Sequence, residues 1–170
     1  MKRALILCAL ALCLAALPLC AQPALAESAA PDFTAVDQYG QAWTLSQQRG
    51  RAVLLHFWTT WYAWCDRDLA ELEACYLEAG ANQGNVLVLG VASPGVRDSA
   101  SAEEITAFLA RRGVTCPVLM DTDGAIYAQY APVDLPTTYF VSPAGAMLGY
   151  CPGPAERNTL RQLVSIASGN

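Results

Sequence analysis

Three features of this 170-residue chain predict an α/β fold built on a mixed five-stranded sheet flanked by helices. Residues 52–58 (AVLLHFW) and 86–91 (VLVLGV) are near-continuous apolar runs with the β-branched and aromatic content of strands covered on both faces. Each is followed by a segment of helical periodicity. Two further strand-like runs, 137–141 (TTYFV) and 147–151 (MLGYC), flank the turn-forming Ser142-Pro-Ala-Gly145. Strands separated by helices run parallel and a tight hairpin runs antiparallel, so the sheet must contain both pairings.

Taken in order, Phe33–Val36 and residues 43–45 flank the turn signal Asp37-Gln-Tyr-Gly40 and predict an N-terminal β-hairpin. After the strand at 52–58, residues 64–79 carry Leu69, Leu72, Tyr76 and Ala79 at three-to-four spacing, one buried stripe of a helix. Asp66 and Asp68 lie in its first turn, where negative charge suits the helix dipole. Gly80 and Gly84 end it. Residues 101–112 predict a second helix with Ser101 as N-cap and Gly113 as its stop. A short strand follows at 116–120, and Pro117 inside it argues for a sheet edge. Residues 124–130 predict a helical turn. A closing helix at 156–167 carries Leu160, Leu163, Val164 and Ala167 on one face.

The first 26 residues read as a targeting signal rather than fold. Lys2 and Arg3 form a positive start, residues 5–20 an apolar run, and Ala24-Leu-Ala26 a small-x-small cleavage site. The run is 16 residues, short of the ~20 a membrane-spanning helix needs. Cleavage after Ala26 makes the protein an exported one, periplasmic or otherwise extracytoplasmic. A membrane enters only if the segment is kept as an anchor, and Leu19 sits where a lipoprotein signal wants a small residue before Cys20. Residues 27–31 read as a flexible lead, and 32–168 as one domain. Losing Lys2 and Arg3 leaves eight basic residues against 15 acidic, a net charge of −7. With 15% charged residues and an acidic balance, the chain is neither disordered nor a nucleic-acid binder.

Four cysteines, Cys65, Cys75, Cys116 and Cys151, remain after the leader, too few to staple a chain long enough to bury its own core. Without any C-x2-C spacing and with a single histidine, His56, they predict no metal site. His56 reads as a core residue of a buried strand. A catalytic pairing with Cys65 would need its side chain to point that way. Asp121 and Asp123 with Gly124 read as a turn, since the ligand spacing of a calcium loop is missing.

The segment HFWTTWYAWCDRDLAEL (56–72) resembles the thioredoxin superfamily, in particular the TlpA/ResA-like thiol–disulfide oxidoreductases, whose motif reads F-W-A-x-W-C-x-x-C. Supporting matches are DFTAVDQYGQAWTLSQQRGRAVLLHFW, PVLMDTDGAIYAQY, LPTTYFVSPAGAML and Gly153, so the resemblance spans about residues 31–168. It implies a thioredoxin-like fold, no cofactor, and protein thiols or disulfides, or an extended peptide segment, as partners. It also implies that the family's second cysteine is Cys65, its acidic neighbour Asp68 and its cis-proline Pro136, with Trp61, Tyr62, Trp64, Leu135 and Thr137 around the substrate groove. The first cysteine of the motif falls on Tyr62, and the proline of the helix's first turn falls on Ala70. The threonine that related peroxiredoxins place three residues before their reactive cysteine is also Tyr62 here.

Thiol–disulfide exchange needs one thiolate to attack and a second thiol to resolve the mixed disulfide. A phenol, with a reference pKa near ~10, does neither. Cys65 is expected to be crowded by Trp58, Trp61, Tyr62 and Trp64, and apolar burial raises a thiol's pKa. Cys75 lies ten residues along the same helix, ~15 Å away, beyond disulfide reach. Cys116 and Cys151 are expected on opposite sheet edges. Cys151, at the active-site end of the sheet, is the one candidate partner for Cys65, while small buried hydrophobes are the simpler reading of all three. The sequence therefore predicts an exported protein whose dithiol exchange is absent or reduced to one-thiol chemistry at Cys65. A non-catalytic binding module using the groove beside Pro136 is the alternative.

Overall fold

The computed structural model describes residues 28–154 together with Arg161, Gln162 and Ser165. The leader at 1–26 and most of the segment 156–167 lie outside the described residues.

The five-stranded sheet is centred on β3 (Ala52–Phe57), every residue of which is buried, as its unbroken apolar run requires. It pairs in parallel with β4 (Val86–Ala92), which pairs in parallel with β5 (Val118–Met120). On its other side β3 pairs antiparallel with β6 (Thr137–Val141), and β6 with β7 (Met147–Pro152). The spatial order is β5-β4-β3-β6-β7. A separate antiparallel pair, β1 (Thr34–Val36) and β2 (Ala42–Thr44), forms the expected N-terminal hairpin. Leu45, expected as its last strand residue, instead opens a 3-10 turn (Leu45–Gln48).

Two parallel crossovers in the same direction must place their helices on one face, because such connections are right-handed. Accordingly α1 (Ala63–Glu78) and α2 (Ala102–Arg111) share a core with Leu54, Trp58 and Val88. The return crossover carries α3 (Ala125–Tyr130) to the opposite face, where Ile126 and Tyr130 pack with Phe33, Trp43, Leu55 and Phe57. Three described residues of the closing segment are helical, and Arg161 forks onto Glu78 of α1 through two 2.6 Å hydrogen bonds.

Local chemistry explains the boundaries. Ser101 and Glu104 form a reciprocal capping box at the start of α2. Asp121, read from sequence as a turn residue, accepts the Ile126 and Tyr127 amides at the start of α3 and the Ser93 hydroxyl, each at 3.0 Å. β5 begins two residues later than expected, after Pro117. Cys116 is held outside the strand, its amide on the Glu73 carboxylate at 2.8 Å and its Sγ on the Val88 carbonyl at 3.5 Å. The lead is also tied down at its inner end. Ala29 pairs with Ala146, the Met147 amide donates to the Ser28 carbonyl, and Ala30 is buried. The start of β7 has an open backbone edge, and residues 28–30 satisfy it.

Gly90 in β4 meets a spatial constraint: a Cβ there would lie 2.8 Å from Val118 Cγ2 and 3.4 Å from Trp58 Nε1. Gly90→Ala should therefore destabilise the fold by about 1–3 kcal/mol, the usual cost of overpacking. Urea unfolding with an unchanged slope checks this.

Candidate functional site

The register of the sheet gathers the site. Phe57, the last residue of β3, pairs with Thr137, the first of β6, so the segment before β6 lies beside the loop that leads into α1. The Leu135–Pro136 peptide in that segment is cis. Pro136 is buried, and its carbonyl accepts the Gly153 amide at 2.7 Å. Asp134 turns back on the segment, with its Oδ1 accepting the Leu135 amide at 2.8 Å and its carbonyl the Thr137 hydroxyl at 2.6 Å.

Tyr62 occupies the N-cap of α1 and makes no capping bond with its side chain. A capping residue needs a short side-chain oxygen near the first-turn amides, as Ser, Thr, Asp and Asn supply. The phenol is half-buried, its ring 5.8 Å from that of Trp61. Cys65 follows one turn inside and is 0% exposed. It shares a core with Trp58 and Leu69, against which Tyr62, Leu135 and Cys151 also pack. Burial pushes the Cys65 thiol up to about 11, with the Asp68 and Asp134 carboxylates adding to the shift and Thr59 opposing it.

One further turn along α1, buried Asp68 brings Oδ2 to 3.3 Å from Nε2 of His56, which is buried as well. The other ring nitrogen, Nδ1, lies 3.0 Å from Thr138 Oγ1. Thr138 is the register partner of His56 across β6, and Cys151 is in turn the partner of Thr138 across β7. His56 thus reaches a carboxylate of α1 rather than Cys65 itself. Burial pushes its imidazole down to about 4, so the ring is neutral at neutral pH.

Outside this buried row lies a groove of about 550 Å³ lined by Trp61, Tyr62, Val96, Arg97, Val133 and Leu135, among others. Trp61 is 64% exposed and Val133 75%. Trp61 departs from expectation: its indole does not crowd Cys65 but turns to solvent, where Nε1 donates to the Arg97 carbonyl at 3.1 Å. Arg97 in turn stacks its guanidinium 4.3 Å above Tyr127. Buried Asp98 clamps the two loops together, accepting the Thr60 amide at 2.5 Å, the Thr60 hydroxyl at 2.8 Å and the Ala100 amide at 3.0 Å. Thr137 is fully buried, so it backs the groove rather than lining it. Trp64 lies in the first turn of α1, and its side chain is outside what the structure describes.

Leu135, beside Pro136, packs against the core that holds Cys65, and Asp68 lies three residues further along α1. The four described cysteines are all free, and Cys116 and Cys151 stand at opposite edges of the sheet. Among the described residues no group of three or more His, Cys, Asp or Glu side chains comes together as a metal site. Sequence reasoning missed Asp98, Val96, Arg97, Val133, Asp134 and Thr138. For Thr138 a signal existed, since strand alternation places a hydroxyl beside whichever neighbour shares its face. The groove residues come from loops without periodicity.

A family model described as the AhpC/TSA family matches residues 26–148. Thiol-disulfide oxidoreductase ResA of Geobacillus kaustophilus (strain HTA426) is 29% identical over 138 residues, covering 81% of this chain and 75% of the relative. ResA of Bacillus subtilis (strain 168) is 25% identical over 137 residues, covering 81% and 73%. Among solved structures, the pneumococcal exposed lipoprotein thioredoxin (Etrx1) of Streptococcus pneumoniae strain TIGR4 has a TM-score of 0.71 and 27% identity, covering 80% of this chain and 99% of that one.

Two outcomes follow from these environments. Alkylation of the folded protein at pH 7.5, mapped by mass, should modify half-exposed Cys151 and spare Cys65, Cys75 and Cys116, all of which react once the chain is unfolded. Because the His56 pKa is lowered on folding, its contribution to stability is present above about 6.5 and is lost as pH falls toward about 4. Between pH 7 and pH 5 the wild type should lose about 2 kcal/mol more than His56→Gln, measured by urea unfolding.

Proposed function

Because the chain belongs to the AhpC/TSA family, as a TlpA/ResA-like member of the thioredoxin superfamily, we propose that it is an exported relative of thiol–disulfide oxidoreductases whose two-thiol cycle is silenced at Tyr62. The supporting observation is the phenol at the N-cap of α1 with a fully buried thiol one turn behind it. The leader-like segment at 1–26 supports export, as does the pneumococcal relative's description as an exposed lipoprotein.

In the complete cycle, a thiolate at the helix N-terminus attacks a substrate disulfide and forms a mixed disulfide. The inner thiolate then displaces the substrate thiol, so that two protein thiols are oxidised to a disulfide and the substrate disulfide is reduced. Tyr62 offers no sulfur for the first step. Cys65 could start an exchange only as a thiolate, and a pKa near 11 leaves about one molecule in ten thousand ionised at pH 7. Any mixed disulfide formed there would need an external thiol to release it. Asp68 and Pro136 then frame a site that retains the shape of the family's centre without its turnover.

A second reading draws on the groove. Exposed Trp61, Val96 and Val133 border it beside the cis-proline segment, the arrangement of a module that holds an extended peptide without electron transfer. The Leu135 amide, a natural donor to such a peptide, is already taken by Asp134, so a peptide must displace that carboxylate.

Reduction of insulin by dithiothreitol separates turnover from its absence. Wild type should leave the rate of the reductant alone unchanged, and Tyr62→Cys should raise it by at least about tenfold, one pKa unit or 1.4 kcal/mol of barrier. Catalysis by the wild type over many turnovers would contradict the proposal.

A further inference from the structure

Where the groove beside the cis-proline segment holds an extended peptide, as in the second reading of the function, we infer that this peptide carries an aspartate or glutamate next to an apolar residue. Arg97 is the side chain that selects the acid.

The Arg97 guanidinium is exposed and lies 4.3 Å above the Tyr127 ring, and it makes no hydrogen bond or ion pair among the described residues. A guanidinium carries five N–H donors in a planar fork, and stacking covers one face while leaving the donor edge free. An arginine held in this way can give two parallel hydrogen bonds to one carboxylate.

Its place is fixed from both sides. The Val96, Arg97 and Asp98 amides donate to the Ser93 carbonyl at 3.2, 3.0 and 3.0 Å, and the Gly95 amide to the Asp98 carbonyl at 2.7 Å. The Arg97 carbonyl takes the Trp61 indole, and the neighbouring Asp98 carboxylate ties in Thr60 and Ala100. Tyr127, the platform under the cation, is anchored through its amide on Asp121 at 3.0 Å, and its ring stands edge to face with Phe57, centroids 6.3 Å apart. A ligand that meets a fixed site loses less freedom on binding.

The apolar half of the ligand follows from what surrounds the cation. Trp61, Val96 and Val133 are 64%, 50% and 75% exposed, and all three line this one groove. Apolar surface gathered in this way marks a binding site, and tryptophan, tyrosine and arginine are the side chains that dominate interface energies.

Charge decides between an acid and a base. Asp134 also lines the groove and would suit a lysine or arginine. Its Oδ1 is already on the Leu135 amide at 2.8 Å, and the Tyr127 face that would cradle a second cation holds Arg97. The chain's net charge of −5 favours basic ligands at long range. That field is screened over about 8 Å at physiological salt, whereas a carboxylate on Arg97 is at contact. An acidic preference must therefore come from a local cation, and Arg97 is the one that lines the groove among the described residues.

A library of random heptapeptides displayed on phage, selected against the folded protein and its variants, tests this. Wild type should enrich peptides with Asp or Glu beside an apolar residue, Arg97→Gln should lose that preference, and Arg97→Glu should select Lys or Arg instead. One enriched peptide, and the same peptide with its acid replaced by the amide, are then titrated and followed in 15N spectra. The Trp61 indole signal, identified by its loss in Trp61→Phe, reports the groove. The acidic form should bind wild type about tenfold tighter than the amide form, a difference of ~1.4 kcal/mol, and the two should bind Arg97→Gln equally. Asp134→Asn should strengthen binding of the acidic form. Weakened binding there would assign recognition to Asp134 and overturn the inference. Enrichment without an acidic bias, or a bias that survives Arg97→Gln, would overturn the role of Arg97 while leaving the groove a peptide site. No enrichment at all would overturn the peptide reading with it. The insulin assay tests Tyr62 independently of every one of these outcomes.

Discussion

The pairing of Phe57 with Thr137 places the end of the central strand against the start of β6, and the site follows from that register. It sets the cis peptide before Pro136 beside the loop entering α1, so that loop, helix N-terminus and proline segment face one groove. One residue back, the same register sets His56 opposite Thr138, and the next pairing sets Thr138 opposite Cys151. A slip of one residue would turn the imidazole to the other face, away from Asp68. The central strand can hold this register because the apolar residues around His56 are buried on both sides.

Within that frame, chemistry is divided between an outer and an inner shell of very different polarity. The outer groove carries an exposed indole, a cation stacked on Tyr127 and short loops clamped by Asp98. The inner row of Cys65, His56, Asp68 and Thr138 is buried. A thiol placed there loses the solvation its ionised form needs, and nearby carboxylates worsen the loss. Helix-dipole stabilisation is strongest at the N-cap, the position Tyr62 takes. The most favourable place for a thiolate thus holds an oxygen, and sulfur sits where ionisation is least favourable.

Much of the fold could be read from the chain itself. The unbroken run at 52–58 announced a strand covered on both faces, and Ser101 a helix N-cap. Pro117 marked an edge but displaced the strand to begin at Val118, because a residue without an amide proton cannot join the ladder. Cys65, Asp68 and Pro136 were legible through the resemblance. The meeting of His56 with Asp68 was not, since it depends on how a helix crosses a strand, a tertiary fact that neither period contains. Trp61 was misjudged for a similar reason: its environment is set by a carbonyl 36 residues away. Asp98 lies in a loop without periodicity, and only the fold shows that it receives Thr60.

The claim at the centre of this account is that the structure isolates one sulfur from redox partners. It is tested most directly by equilibrating the folded protein in a glutathione redox buffer spanning reducing to oxidising ratios, then quenching and measuring intact and peptide masses. The account predicts that Cys65 remains a free thiol at every ratio, with neither a glutathione adduct nor a bridge. A Cys65–Cys151 disulfide, or stoichiometric glutathione on Cys65, would contradict it.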